Sequence, residues 1–356
     1  MRPDCTTDTR RVLRNATPGH AYLSNANGNH SLVRSRWMAP RRISAALTVT
    51  LAAALLAACG SGDGDAQTDS GARPTVVATT TQVADLTRQV AGDRAEVSQI
   101  LAANADPHDY EPRPSDVKSV SGAAVIVRSG GDLDEWLDGV LRNAATDTKA
   151  LTLIDTTRTR KGEGETDPHW WQDPRNAIAA VGEIRDALIA VDPAGRDTYT
   201  TNTATYLIRL RTLDETIKSC IDKIPASQRK LVTDHDALGY YADRYDIDIL
   251  GTVIPALSTQ AQASAGDTVR LVRTIRAAGV TTIFPESSAN TKLARAIARD
   301  VGARVGPALY ADSLGAEGTP GETYVGSMQA NTRALAAGFS DGRQTCRFQG
   351  LGGAPN

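Results

Sequence analysis

From Asp192 to Ile224 the chain carries no glycine after Gly195, and Tyr199, Tyr206, Leu210, Leu213, Ile217 and Ile221 return at helical spacing. This reads as one long helix, ended by Pro225, which has no N–H to continue the ladder. At 1.5 Å per residue it is about 40 Å or more in length, enough to run from one domain to another. A tandem coil is the alternative reading of such a repeat. On both sides of it, short β-branched or apolar runs alternate with helical patterns. Before it, strands are expected at Thr75–Thr79, Glu96–Leu101, Ala123–Arg128 and Leu151–Asp155, with helices at Gln82–Val90, Asp132–Asn143 and Arg175–Val191. After it, strands are expected at Lys230–Thr233, Asp248–Ile254, Thr281–Phe284 and Ala303–Leu309. The helices there are Ala237–Tyr245, Gly266–Ala278, Thr291–Val301 and Glu322–Phe339. Such alternation predicts α/β architecture with mainly parallel sheets. The whole is two similar lobes joined by one long rigid helix, with a cleft between them. The boundaries are 75–191 for the first lobe, 192–225 for the linking helix, 226–345 for the second lobe and 346–356 for a tail.

The 356 residues carry a formal net charge of -2 and are 41% hydrophobic, which describes a globular chain with a sizeable core and gives no electrostatic case for nucleic acid. Aromatic residues are only 4%, so the pair Trp170-Trp171, from four tryptophans in all, is a local concentration.

Residues 1–58 read as an address. Residues 1–37 are polar and irregular; Met38-Ala39-Pro40-Arg41-Arg42 is basic, and Ile43–Ala58 is an apolar run of signal-peptide length, too short to span a membrane comfortably. Met38 is the expected true start. The run ends in Leu56-Ala57-Ala58-Cys59-Gly60, which resembles the lipobox of bacterial lipoproteins. The resemblance implies cleavage before Cys59 and its lipidation; the alternative is an ordinary secretory signal with a chance cysteine. Residues 59–74, rich in Gly, Asp, Ser and Thr, read as a lipidated flexible tether. Of four cysteines, Cys5 precedes the signal and Cys59 would be lipidated. Cys220 and Cys346 remain, in an exported protein where disulfides persist, and are expected to pair; two free structural thiols are the alternative.

Three of the five histidines lie beyond Cys59, each in a loop after an expected strand: His108, His169 and His235. Two of them stand in Asp-Pro-His. The stretch Asp167-Pro168-His169-Trp170-Trp171-Gln172-Asp173-Pro174 is stiff, since a residue before proline is held extended, and Asp173 with Pro174 fits a helix start. A histidine in such a loop is as readily a packed, hydrogen-bonded residue as a ligand. Asp312 follows the last expected strand. Loops after strands are where open α/β sheets bind ligands. Three imidazoles and a carboxylate there suit zinc.

At these residues the chain resembles the metal-binding lipoproteins of zinc and manganese ABC importers. The carriers are Asp106-Pro107-His108-Asp109-Tyr110-Glu111-Pro112, Asp167 to Pro174, His235-Asp236-Ala237-Leu238-Gly239-Tyr240-Tyr241, Phe284-Pro285-Glu286-Ser287-Ser288 and Tyr310-Ala311-Asp312-Ser313. The resemblance runs from about Val76 to Phe339. It implies metal ligands at His108 and His169 from the first lobe and His235 and Asp312 from the second. It also implies a monomer tethered on the extracytoplasmic face of the cell membrane, which passes Zn²⁺ to a permease driven by a cytoplasmic ATPase. Zinc-importing relatives often carry a long His-rich loop before the second ligand; Thr156–Thr166 here is short and has no histidine. Manganese-selective relatives usually have glutamate where this chain has His235, and a third imidazole favours zinc over Mn²⁺. Asp106 and Asp234 are candidates to accept the second ring N–H of a ligand histidine, with helix capping as the alternative. Glu286 is either such a partner or a cap. A zinc hydrolase and a surface adhesin with a structural metal are the competing classes. Four protein ligands leave no open position for a catalytic water, and no His-Glu-x-x-His or nucleophile elbow is present.

Overall fold

The computed structural model describes residues 73–162 and 164–351. The signal region, Cys59 and nearly all of the tether lie outside them. In the first lobe the strands β1 Thr75–Ala78, β2 Glu96–Gln99, β3 Val125–Arg128 and β4 Ala150–Thr152 form one parallel sheet in the order β2-β1-β3-β4. A two-residue ribbon, β5 Lys161–Gly162 with β6 Glu165–Thr166, follows. The second lobe repeats the scheme with β7 Lys230–Thr233, β8 Asp248–Thr252, β9 Thr282–Ile283 and β10 Arg304–Val305. β7 pairs with β8 and β9 with β10, both parallel, and the bridge Thr233↔Phe284 joins the halves in the order β8-β7-β9-β10. Strand order is the same in the two lobes, with each lobe's first strand central.

Period-two alternation divides the core. In the first sheet Val76, Ala78, Val125 and Val127 face inward, while Val77 and Ile126 face the outer helices α2 Pro114–Ser121 and α3 Trp136–Ala144 through Val120, Leu137 and Val140. In the second lobe Leu231 faces inward and Val232 meets Leu271, Ile275 and Ile297 of α7 Ala265–Ala278 and α8 Lys292–Val301. The inward faces belong to one continuous apolar cluster. It includes α1 Thr81–Ala91, α4 Pro174–Val191, α5 Arg196–Ile221, α6 Gly239–Tyr245 and α9 Tyr324–Phe339.

α5 is the linking helix. Its buried residues Tyr199, Thr203, Tyr206, Leu210, Leu213, Ile217 and Cys220 step alternately by four and three, one stripe along its length. It packs on α1 and α4 of the first lobe and on α6 and α9 of the second. Asp214 accepts from Arg244 Nε and Nη2 (2.8 and 2.6 Å) and from the Tyr245 hydroxyl (3.0 Å), which ties α5 to α6. A hinge between lobes would have to open this shared core, so the linkage is stiff. Cys220, at the end of the stripe, is bonded to Cys346 of the C-terminal tail, with Cα atoms 5.7 Å apart.

Most boundaries shift by one to three residues from those expected, and three shift by four. The linking helix starts at Arg196, because α4 ends at Val191 and the turn Pro193–Gly195 intervenes; Asp192 precedes proline and leaves the helical region at φ -135°, ψ 76°. Asp132–Glu135 is not helix, because Gly130, Gly131 and Asp132 all have positive φ (84°, 66° and 67°). The buried Asp134 instead turns its carboxylate back to accept from Ser129 and Gly130 backbone N–H (2.7 and 3.0 Å) and the Thr79 hydroxyl (2.6 Å). The last strand is only Arg304–Val305, with a separate bridge Glu286↔Leu309 further on.

Candidate metal centre

Four loops bring His108, His169, His235 and Asp312 together, with one ligand atom from each within 4.8 Å of all the others. His108 lies in the turn Pro107–Asp109 after β2. His169 caps the turn Trp170–Gln172 that leads into α4, whose first residue Pro174 is preceded by Asp173, its side chain accepting from Arg175 N–H. His235 follows β7 by one residue, and Asp312 follows the Glu286↔Leu309 bridge. The Nε2 atoms of His169 and His235 lie 3.2 Å from Asp312 Oδ1 and Oδ2 respectively, and His108 Nε2 lies 3.6 Å from Oδ2. A tetrahedral zinc with bonds of about 2.0–2.1 Å sets its donor atoms roughly 3.3–3.4 Å apart, close to these nitrogen–oxygen distances, while the four donors as a set lie within 4.8 Å of one another.

These donor atoms are buried. His169, His235 and Asp312 are fully enclosed, and His108 keeps a little exposure. All three Nε2 atoms and both Asp312 oxygens lack a hydrogen-bond partner among the described residues. An unpaired buried polar atom costs about 1–3 kcal/mol, and five converging on one point are satisfied together by a cation. The chemistry of the set fits a divalent metal.

The imidazoles are oriented differently. Asp167 Oδ1 accepts from the His169 backbone N–H (2.9 Å) and lies 2.8 Å from His169 Nδ1, while its other oxygen takes Arg160 Nη1 (2.6 Å). With Nδ1–H given to Asp167, His169 Nε2 presents its lone pair to the centre. Glu286 Oε2 stands 2.8 Å from His235 Nδ1, and Oε1 accepts from the His235 N–H (3.1 Å). Glu286 is thus the carboxylate beside the His235 ring, at ion-pair distance, although Nδ1 and Oε2 are not aligned in a hydrogen bond. Asp106 and Asp234 do not touch a ring. Asp106 caps its own turn by accepting from His108 N–H (2.9 Å) and also accepts from the Thr259 hydroxyl (2.7 Å). Asp234 accepts from Glu286 N–H (2.8 Å). The ring-orienting role considered for these two is therefore replaced by backbone capping. Asp167 went unnoticed in the sequence, although Asp-Pro-His held it two residues from the ligand.

Burial works against charge on these groups, and their neighbours decide the outcome. Burial alone dominates at His108, which falls to about 4. At His169 burial is outweighed by Asp167 and Asp312, and the imidazole is held up at about 9. His235 is likewise raised against its burial, by Asp312 and Glu286, and Asp312 is held well below the usual carboxylate range by His235 and His169 despite full burial.

Trp170 and Trp171 are fully buried and close the back of the site. Trp170 Nε1 donates to Ser129 Oγ (3.0 Å). Trp171 Nε1 and Gln172 Nε2 both donate to the carbonyl of Ala311 (3.0 and 2.9 Å), so first-lobe side chains hold the backbone next to Asp312. Replacing Glu286 by glutamine removes the charge beside His235 but keeps the shape. Metal affinity should fall about 10–100-fold, as when a ligand's outer partner is lost. Competition against a chelator of known affinity measures it, and an unchanged affinity would remove Glu286 from the site.

Residues 76–338 match the family model described as zinc-uptake complex component A, periplasmic. The manganese-binding lipoprotein MntA of Halalkalibacterium halodurans is 30% identical over 304 residues, covering 84% of this chain and 99% of that one. The iron-binding protein YfeA of Yersinia pestis is 31% identical over 268 residues, covering 74% and 86%. Among solved structures, the periplasmic zinc-binding protein TroA from Treponema pallidum superposes with a TM-score of 0.71 at 27% identity, over 75% of this chain and 99% of that one. Family, fold and site agree: the chain belongs to the zinc-uptake component A family, the metal-binding receptors of ABC importers, and is a binding protein and not an enzyme.

Proposed function

We propose that this protein captures one Zn²⁺ between its lobes through His108, His169, His235 and Asp312, and delivers it to an ABC permease powered by a cytoplasmic ATPase. The observation that carries the reading is the donor set, three nitrogens and one carboxylate, two of the imidazoles backed by Asp167 and Glu286. Nitrogen donors suit zinc better than manganese, which lies lowest in the divalent order. A second reading, manganese or iron as cargo, is favoured by the names of the relatives and by one feature of the site. Both oxygens of Asp312 face ring nitrogens, which offers a fifth donor to an ion of higher coordination number.

The proposal extends to the chain's address. Residues 1–58 are removed, Cys59 carries the lipid, residues 59–74 tether the protein, and the lobes 75–191 and 226–345 work as a monomer outside the membrane. Deletion of the gene should slow growth under metal limitation, with recovery on added zinc. Recovery on manganese alone would turn the reading to the second cargo, and no growth defect would turn it to an adhesin.

Binding should also release protons. Imidazole binds metal only when neutral. His169 holds its proton up to about 9 and His235 is raised too, so at pH 7 zinc must displace roughly two protons. Affinity should therefore rise with pH through 7 and up to about 9, beyond the usual histidine range. In the metal-free protein the sign is opposite. The raised pKa of His169 contributes folding stability below about 6.5 that is lost as pH rises through about 9. Calorimetry in buffers of different ionisation enthalpy counts the protons; none released at pH 7 would contradict these pKa shifts.

A further inference from the structure

Three of the four ligands are held on several sides, and the fourth is not. His169 is fixed by Asp167, His235 by Glu286, and the Asp312 loop by Trp171, Gln172 and the Thr81 hydroxyl, which accepts from Leu314 N–H (2.8 Å). His108 is the one ligand with residual exposure, and no carboxylate stands beside its Nδ1 among the described residues. In front of it lies a cavity of about 310 Å³ between the lobes, lined by His108, Tyr110, Trp136, Glu165, Leu257 and Gln260.

The turn that carries His108 reaches the second lobe through few bonds. Asn104 N–H donates to Leu314 O (3.0 Å), the Thr259 hydroxyl donates to Asp106 Oδ2 (2.7 Å), and Gln260 Nε2 donates to the carbonyl of His108 itself (2.6 Å). The last two come from one loop, half-buried at Thr259 and exposed at Gln260. Asp106 in turn caps the His108 N–H. Gln260 thus holds the His108 carbonyl directly and Thr259 holds its N–H through the Asp106 carboxylate, neither touching the ring.

We propose that Thr259 and Gln260 are positioning residues that latch the His108 turn onto the second lobe, so that His108 is the last ligand to close on the metal and the first to leave it. The latch sets the rate of release. This rests on the zinc-receptor reading above. One exposed and one part-buried bond open locally more easily than the shared core that joins the lobes.

The test uses the mature chain, Zn²⁺ as the probe, and two variants, Thr259→Val with Gln260→Ala together and Thr259→Ser with Gln260 kept. Zinc-loaded protein is mixed with excess chelator in a stopped-flow instrument, and the association rate is measured separately. The double variant should release zinc about 10–100-fold faster, the scale of losing a ligand's outer partner. Its association rate should stay within about twofold, since such changes fall mainly on dissociation. Thr259→Ser, which keeps the hydroxyl on Asp106, should release zinc as slowly as the native protein. Should the double variant fail to fold, Gln260→Ala alone, at an exposed side chain, is read in its place with the same expectation. Release at the wild-type rate from a protein that binds zinc normally overturns the latch and leaves the receptor reading intact. A wild-type protein that holds no zinc overturns both.

Discussion

Replacing Asp312 by alanine should weaken zinc binding by more than about a hundredfold, because losing even an outer partner of a ligand costs 10–100-fold. Asp312 does more than supply one oxygen. Its carboxylate lies within 3.2–3.6 Å of all three Nε2 atoms and is, among the described residues, the only one against them. Without it, His169 and His235 lose one of the groups that raise them, and three buried imidazoles face a cation with no carboxylate among its donors, only Asp167 and Glu286 behind two of the rings. Asp312→Asn separates charge from shape: it should bind more tightly than alanine and still far below the native protein. Chelator competition measures all three. An Asp312→Ala protein with near-native affinity would mean that the metal binds elsewhere.

Breaking the Cys220–Cys346 bond is expected to have the largest effect on folding. The two cysteines are 126 residues apart in sequence, and a loop of that size carries a chain-entropy contribution of about 5 kcal/mol, of which measured cases typically deliver 2–4. Cys220 ends the buried stripe of α5, and the tail it holds returns to that helix at Arg209, whose Nη2 donates to the Leu351 carbonyl (2.7 Å). Denaturant titration of a Cys220→Ser, Cys346→Ser protein should show a midpoint lowered accordingly. An unchanged midpoint would mean that the tail contributes nothing to the core.

Much of this architecture is legible in the sequence because it rests on periodicity. The stripe from Tyr199 to Ile221 declares a helix too long for one lobe, and Val76-Val77-Ala78 and Val125-Ile126-Val127 are apolar on both faces because both faces are covered. The three histidines are legible as a set for a different reason: His108 and His235 follow parallel strands, which deliver their loops to one edge, and His169 stands in the same Asp-Pro-His tripeptide as His108 although it follows the antiparallel ribbon β5–β6. What stayed hidden depends on conformations or contacts without a periodic signal. α2 was missed because only Val117 and Val120 in Pro114–Ser121 are apolar. The later start of α3 follows from the run of positive φ at Gly130, Gly131 and Asp132, which the helical spacing of Leu133, Trp136 and Leu137 conceals. Asp106 and Asp167 show the limit most clearly. Both stand in Asp-Pro-His and both accept the histidine N–H at 2.9 Å, yet only Asp167 also meets the ring. The difference lies in distant partners, Arg160 for one and Thr259 for the other, which the tripeptide does not encode.

The central claim is that three imidazoles and Asp312 make a site that prefers zinc. The most direct test strips the chain from Gly60 onward of metal and titrates it with Zn²⁺ and Mn²⁺ in competition. One tight zinc per protein that excess manganese does not displace is the expected result. Manganese held equally or more tightly would show that the scaffold, through the second oxygen of Asp312 or the distances between lobes, overrides the preference of its nitrogen ligands.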